Sequence, residues 1–157
     1  MHLSRDVVDY NNQAAFRHAL REFLRFSEEI TGAFGTTHQQ YQTMLAIKTA
    51  ASEPITIGAL ADALLLHQHS VTTLIDRLEA QGLALRRANP DDRRKTYVAL
   101  TPRGEEVLYD LVVRHQAELR RLGSRLLDPL LRIVGCPEIT PPVESSFQAA
   151  PSTVQDG

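Results

Sequence analysis

A single cysteine, Cys136, is all the thiol this 157-residue chain possesses. One thiol excludes an intramolecular disulfide and any cysteine-only metal cluster. Long apolar runs are also lacking, and none approaches the roughly eighteen residues that a membrane helix requires. The start lacks a signal-like segment, because charged Arg5 and Asp6 lead into a polar amphipathic stretch. A soluble, cytoplasmic protein without a membrane partner is expected. The chain has no excess of positive charge either, its formal net charge being -2. It is therefore no globally basic nucleic-acid binder, and any affinity for phosphate must come from local clustering. Signatures of catalysis are absent too: there is no glycine-rich phosphate loop, no nucleophile elbow and no metalloprotease histidine pair. Ser70 after His69 is a dipeptide without triad context. Neither an enzyme nor a cofactor is expected. What is present is 43% hydrophobic content, enough for one domain of ordinary size with its own core, and no internal repeat.

Residues 67–101, HQHSVTTLIDRLEAQGLALRRANPDDRRKTYVALT, organise the rest. Val71, Leu74, Ile75 and Leu78 follow the i, i+3, i+4, i+7 spacing of a buried helical stripe. That leaves His69, Thr73 and Asp76 on the opposite face, flanked by Thr72 and Arg77. Gly82 stands where a left-handed residue would stop this helix, with Leu83 as the apolar partner of the stop. LALRRA then reads as a half-buried strand, the turn Asn89-Pro90-Asp91-Asp92 breaks it, and Thr96 to Leu100 form a β-branched and aromatic return strand. Helix, hairpin and helix in this order predict a winged helix-turn-helix.

Before this unit, a helix is predicted from an N-cap at Asn11 or Asn12 to about Thr31, with Phe16, Leu20, Phe23, Leu24 and Ile30 among its apolar positions. Apolar residues crowd more than one of its sides, so it should pack on two surfaces, one of which could belong to another subunit. Gly32 and Gly35 should end it. Thr37 and Gln40 form a capping box for a helix carrying Tyr41, Met44, Leu45 and Ile47 up to about Ala50. Ile55 is a very short extended stretch, and Thr56 caps a helix over about Ile57 to Leu66, with Ile57, Leu60, Ala61 and Leu64 inward. This helix and the next, joined by a turn near His67, have the layout in which the second member enters a major groove. After the hairpin, Thr101 with Pro102 at N1 starts a long helix whose stripe is Val107, Leu108, Leu111, Val112, His115 and Leu119. Asp128-Pro129 should interrupt or restart it before a short piece ending near Val134. From Gly135 on, Pro137, Pro141, Pro142 and Pro151 among small polar residues predict a disordered tail.

Charge clusters locally where the winged unit lies. Between His67 and Arg103, seven basic residues (Arg77, Arg86, Arg87, Arg93, Arg94, Lys95, Arg103) face four acids (Asp76, Glu79, Asp91, Asp92). An ordinary solvated surface would account for that surplus equally well. The helix beside it favours a nucleic-acid surface.

The order of elements, together with ITIGALADAL, SVTTLIDRLEAQGL and above all DDRRKTYVALTPRGEE, resembles the MarR family of bacterial transcriptional regulators over residues 10–134. The resemblance implies a mainly α fold with a small β-hairpin wing. It divides the chain into an N-terminal dimerisation helix region (1–35), a winged helix-turn-helix (36–101), C-terminal dimerisation helices (102–134) and the proline-rich tail (135–157). It implies a homodimeric regulator, in the main a repressor, on a pseudo-palindromic site in double-stranded DNA. Asp92 and Arg94 fall on the family's wing Asp and Arg. A guanidinium on a hairpin tip suits a narrow minor groove, a nearby carboxylate could hold it, and Arg93 and Lys95 would neutralise flanking phosphates. Gln68, His69, Ser70, Thr72 and Thr73 match positions that face bases and phosphates, and Arg77 matches a backbone contact. The alternative for Arg77 is an internal salt bridge with Glu53 or Asp76; the role expected of Asp76 is to orient Arg77 or to meet a cytosine amino group. Pro129 and the tail depart from the family's regular last helix.

A small aromatic or phenolic effector is the expected signal, in a crevice around Phe16, Arg17, Arg21, Tyr41, Met44 and Lys48. For any one of these residues, a core position or a solvated charge is the simpler reading. Three rivals stand beside it. Redox sensing through Cys136 is disfavoured by its place between Gly135 and Pro137 at the edge of the tail. A metal on His67 and His69 lacks a companion ligand. A winged helix serving only as a protein-interaction adaptor would show no specific duplex affinity.

Overall fold

The computed structural model describes residues 8–50, 55–89, 92 and 94–135. The elements run α1 (Tyr10–Ala33), α2 (His38–Lys48), β1 (Ile55–Thr56), α3 (Ile57–Leu64), α4 (Gln68–Ala80), β2 (Ala84–Ala88), β3 (Thr96–Leu100) and α5 (Pro102–Val134). The expected mainly α architecture with a small β wing is what the chain adopts. The sheet has one strand more than a hairpin, in the antiparallel order β1-β3-β2, since Ile55 pairs with Val98 across β3 while Arg86 pairs with Val98 from the other side.

Local sequence sets most boundaries. Thr37 Oγ1 accepts from the Gln40 N–H at 3.2 Å and Gln40 Oε1 accepts from the Thr37 N–H at 2.8 Å, so the capping box closes α2 as foreseen. Thr56 caps α3 through the Ala59 N–H. Gly82, at φ 70°, stops α4, and the Leu83 N–H reaches the Leu78 carbonyl at 2.9 Å while the Gly82 N–H reaches that of Glu79 at 2.9 Å. This pair of bonds satisfies two otherwise orphaned carbonyls and turns Leu83 into the core.

Three boundaries differ from expectation. The cap of α1 is Asp9 rather than Asn11 or Asn12: its Oδ1 accepts from the Asn12 N–H at 3.0 Å, which places both asparagines inside the first turn. Gly32 lies inside α1, and the chain turns at Phe34 and at Gly35, which has φ 70°. Helix α3 stops at Leu64 because Leu65 takes the left-handed conformation, φ 55°, and donates back to Asp62. The expected break at Pro129 does not occur either. Pro129 costs α5 the hydrogen bond to the carbonyl four residues back, but it is buried in the seam with α1, and that burial offsets one lost bond in a 33-residue helix.

The core joins Met44, Ile47, Leu60, Val71, Ile75, Leu78, Leu83, Val98, Leu108 and Leu111, and so ties α2 to α5 and the sheet into one body. Helices α1 and α5 pack along each other away from the wing. They leave Tyr10, Leu24, Tyr109, Val113, Leu119, Leu127, Leu130 and Val134 exposed. Cys136 and the proline-rich segment lie outside the described residues.

Candidate nucleic-acid interface

Helix α4 buries Val71, Leu74, Ile75 and Leu78, as its spacing demands, and this fixes what points outward. Gln68, His69, Thr73 and Arg77 are exposed, while Ser70 and Thr72 are half-buried. His69, Ser70, Thr73 and Arg77 line one side of an open cleft of about 300 Å3, and Gln39 from the start of α2 lines the other. Arg77 makes no hydrogen bond or ion pair with a described residue, so neither an internal pair with Asp76 nor an orienting role for Asp76 is realised. Glu53 lies outside the described residues.

The threonine hydroxyls are partly committed. Thr72 Oγ1 donates to the Gln68 carbonyl at 2.9 Å and Thr73 Oγ1 to that of His69 at 3.0 Å. A hydroxyl that has given its one hydrogen to the backbone can only accept from a ligand, so each presents an acceptor and a methyl rather than a donor. The His67 and His69 rings stack at 5.6 Å and 9°. Among the described residues no group of three metal-ligating side chains converges.

The wing is built by its own polar residues. Asp92 Oδ1 accepts from the backbone N–H of Arg94 at 3.0 Å, and the Lys95 N–H donates to the Asp92 carbonyl at 3.0 Å. Asp92 thus shapes the turn that projects Arg94, and holds its backbone where the sequence suggested its guanidinium. At the base of the hairpin, buried Asn89 donates through Nδ2 to the Tyr97 hydroxyl at 2.8 Å and through its N–H to the Lys95 carbonyl at 3.2 Å. Arg94 and Lys95 are exposed; Arg93 is outside the described residues.

Arg86 is a brace that composition counts wrongly as surface charge. From β2 it reaches Asp76 at 2.6 Å and also Glu79 and the Thr72 carbonyl, all on α4. Burial pulls its pKa down, but hydrogen bonds and charge from Asp76 and Glu79 outweigh this and hold it above the ordinary value. Its sequence separation of seven and ten residues from these partners gave no helical or strand periodicity to betray it.

The six residues expected to form an effector crevice are not gathered into one. Met44 is fully buried and Tyr41 nearly so, its phenol pushed up in pKa by burial. Lys48 Nζ is 2.8 Å from Glu105 on α5. Arg17 and Arg21 are exposed and Phe16 half-buried on the first half of α1. From Phe16 to Ser27, the α1 residue that hydrogen-bonds His38 of α2, is about 16 Å along the helix.

Residues 34–95, which run from the end of α1 to the wing, match the model of the MarR family. The HTH-type transcriptional regulator MhqR of Bacillus subtilis is 37% identical over 67 residues, 43% of this chain and 46% of that protein, so the match spans about half of its length. YsmB of the same organism, an uncharacterized HTH-type transcriptional regulator, is 26% identical over 121 residues, 77% of this chain and 82% of its own. Among solved structures, a MepR-DNA complex from S. aureus superposes with a TM-score of 0.67 at 20% identity, covering 81% of this chain and 93% of MepR. A likeness at that identity speaks for the fold.

Proposed function

We propose that the chain, whose residues 34–95 match the MarR-family model, is a sequence-specific regulator of transcription of that family that binds double-stranded DNA as a homodimer on a pseudo-palindromic operator and represses the adjoining gene. The observation that carries this reading is that two successive elements, α4 and the wing, each expose cationic side chains that make no hydrogen bond or ion pair with a described residue. The outer face of α4 offers Arg77 beside Thr73 and His69, and the wing offers Arg94 and Lys95. In this arrangement α4 lies in a major groove and Arg94 enters the neighbouring minor groove, where negative potential is deepest when the groove is narrow. The exposed apolar residues of α1 and α5 supply the surface for the second subunit, which sets the two reading helices about one DNA turn apart. Release by a small aromatic effector completes the reading, through a crevice not formed by Tyr41 and Met44 in the present packing.

Fluorescence anisotropy tests it, with a duplex recovered by in-vitro selection from a random-sequence pool. Affinity should fall steeply with salt, by close to one log unit per log unit of salt for each phosphate neutralised, and two protomers should bind per duplex. Failure to recover any preferred duplex would favour the adaptor reading.

A further inference from the structure

Ser27 sits at the meeting point of three helices, fully buried, and no DNA-contacting role is assigned to it. Its hydroxyl lies 2.7 Å from His38 Nδ1 on α2 and 2.8 Å from His115 Nε2 on α5. With both imidazole rings neutral, the direction of every link is fixed. His115 Nδ1 is 2.7 Å from the Leu111 carbonyl, which can only accept, so Nδ1 carries a hydrogen. In the neutral ring Nε2 is then the acceptor, and Ser27 donates to it. Having spent its one hydrogen, Ser27 accepts from His38 Nδ1. The other nitrogen of His38, Nε2, faces the Gln42 amide nitrogen at 2.9 Å, which donates to it. The result is a one-way chain, Gln42 to His38 to Ser27 to His115 to Leu111, running from α2 through α1 into α5. Around its buried end, Tyr41 of α2 stacks on His115 at 4.3 Å and 8°, and the rings of Phe23 and Phe26 meet it at steep angles.

We infer that Ser27 is a positioning residue for operator binding, which fixes the angle between the DNA-reading lobe and the dimerising helices α1 and α5. The inference rests on the dimeric DNA-binding reading above. Helix α2 belongs to the reading lobe and touches both α1 and α5. A dispersion contact at that junction would let α2 slide by small amounts at little cost, whereas a directed chain has one geometry in which every donor meets its acceptor. In a dimer the tilt of each lobe sets the separation of the two α4 helices. The chain therefore acts on which half-site spacing is accepted rather than on which bases are read.

The test uses the selected duplex and two variants of it, with one base pair added or removed at the centre. Wild type should bind the parent duplex much more tightly than either variant. Ser27→Ala removes the hydroxyl that both rings need, and the ratio of parent to altered-spacing affinity should drop about fivefold or more. His38→Ala breaks the chain at its half-exposed end and leaves the buried Ser27–His115 bond intact; it should lower the same ratio while remaining folded if Ser27→Ala is not. Because a ratio is read, a uniform loss of phosphate contact or of folded fraction cancels. Wild-type spacing discrimination in His38→Ala, or in a folded Ser27→Ala, overturns the inference. Recovery of no preferred duplex by wild type overturns the DNA-binding reading itself and the inference with it.

Discussion

Arg86 of β2 stands 2.6 Å from Asp76 of α4, on the side of the reading helix that faces the wing. With Glu79 as a second carboxylate partner, one guanidinium locks the hairpin to the helix it must cooperate with. If the two elements enter adjacent grooves as proposed, they need a fixed relative angle, since both must be in place before either contact contributes fully. Arg86→Met keeps the aliphatic stem and removes the brace. We expect roughly tenfold weaker operator binding, with a stability loss held to about 1 kcal/mol because the pairs are partly solvent-screened. Anisotropy beside a thermal melt measures both. A large drop in melting temperature with unchanged affinity of the folded fraction would make Arg86 a stability residue only.

Gly104 answers to backbone geometry. Thr101 Oγ1 accepts from the Gly104 N–H at 3.0 Å and donates to the Gly82 carbonyl at 2.6 Å, while the Thr101 N–H binds the Leu83 carbonyl at 3.1 Å. These bonds draw the start of α5 against the end of α4 so closely that a Cβ on residue 104 would overlap the Leu83 carbonyl oxygen. Gly104→Ala should therefore destabilise the fold by about 3 kcal/mol, although alanine is the better helix former. A denaturation midpoint equal to that of wild type would show that the two backbones separate freely.

Elements with local causes were legible in the sequence. The capping box at Thr37 and Gln40, the stop at Gly82 and Leu83, and the stripe from Val71 to Leu78 each depend on residues within two turns of one another, and all are present. Pro129 was misjudged because its local cost is visible and the seam with α1 that offsets it is not. The Ser27 chain spans 11 and 88 residues, and periodicity offered only that His115 lies in an apolar stripe. Asp92 was singled out as a wing residue, yet the atom it holds, the Arg94 amide, follows from turn geometry rather than from charge.

Arg94 is exposed at the wing, on a turn that Asp92 pins through the backbone, so its side chain can be removed without disturbing the turn. Arg94→Ala should cut operator affinity roughly tenfold or more and lower the salt slope by about one. Asp92→Ala, which frees the turn but removes no positive charge, should weaken binding without changing that slope. Unchanged affinity in Arg94→Ala would sink the minor-groove assignment.

Thr73 distinguishes two ways of reading a base. Its hydroxyl hydrogen is given to the His69 carbonyl at 3.0 Å, so towards the groove it can present an oxygen that accepts or a methyl that packs. Thr73→Val keeps a methyl and removes the oxygen; Thr73→Ala removes both. If the methyl meets a thymine, Val should retain the preference of the wild type and Ala should lose about tenfold discrimination at one base pair. If the oxygen accepts from an adenine or cytosine amino group, both variants should lose it alike. Selection experiments on the two variants separate these outcomes, and an equal loss of affinity for every duplex would show that Thr73 touches only phosphate.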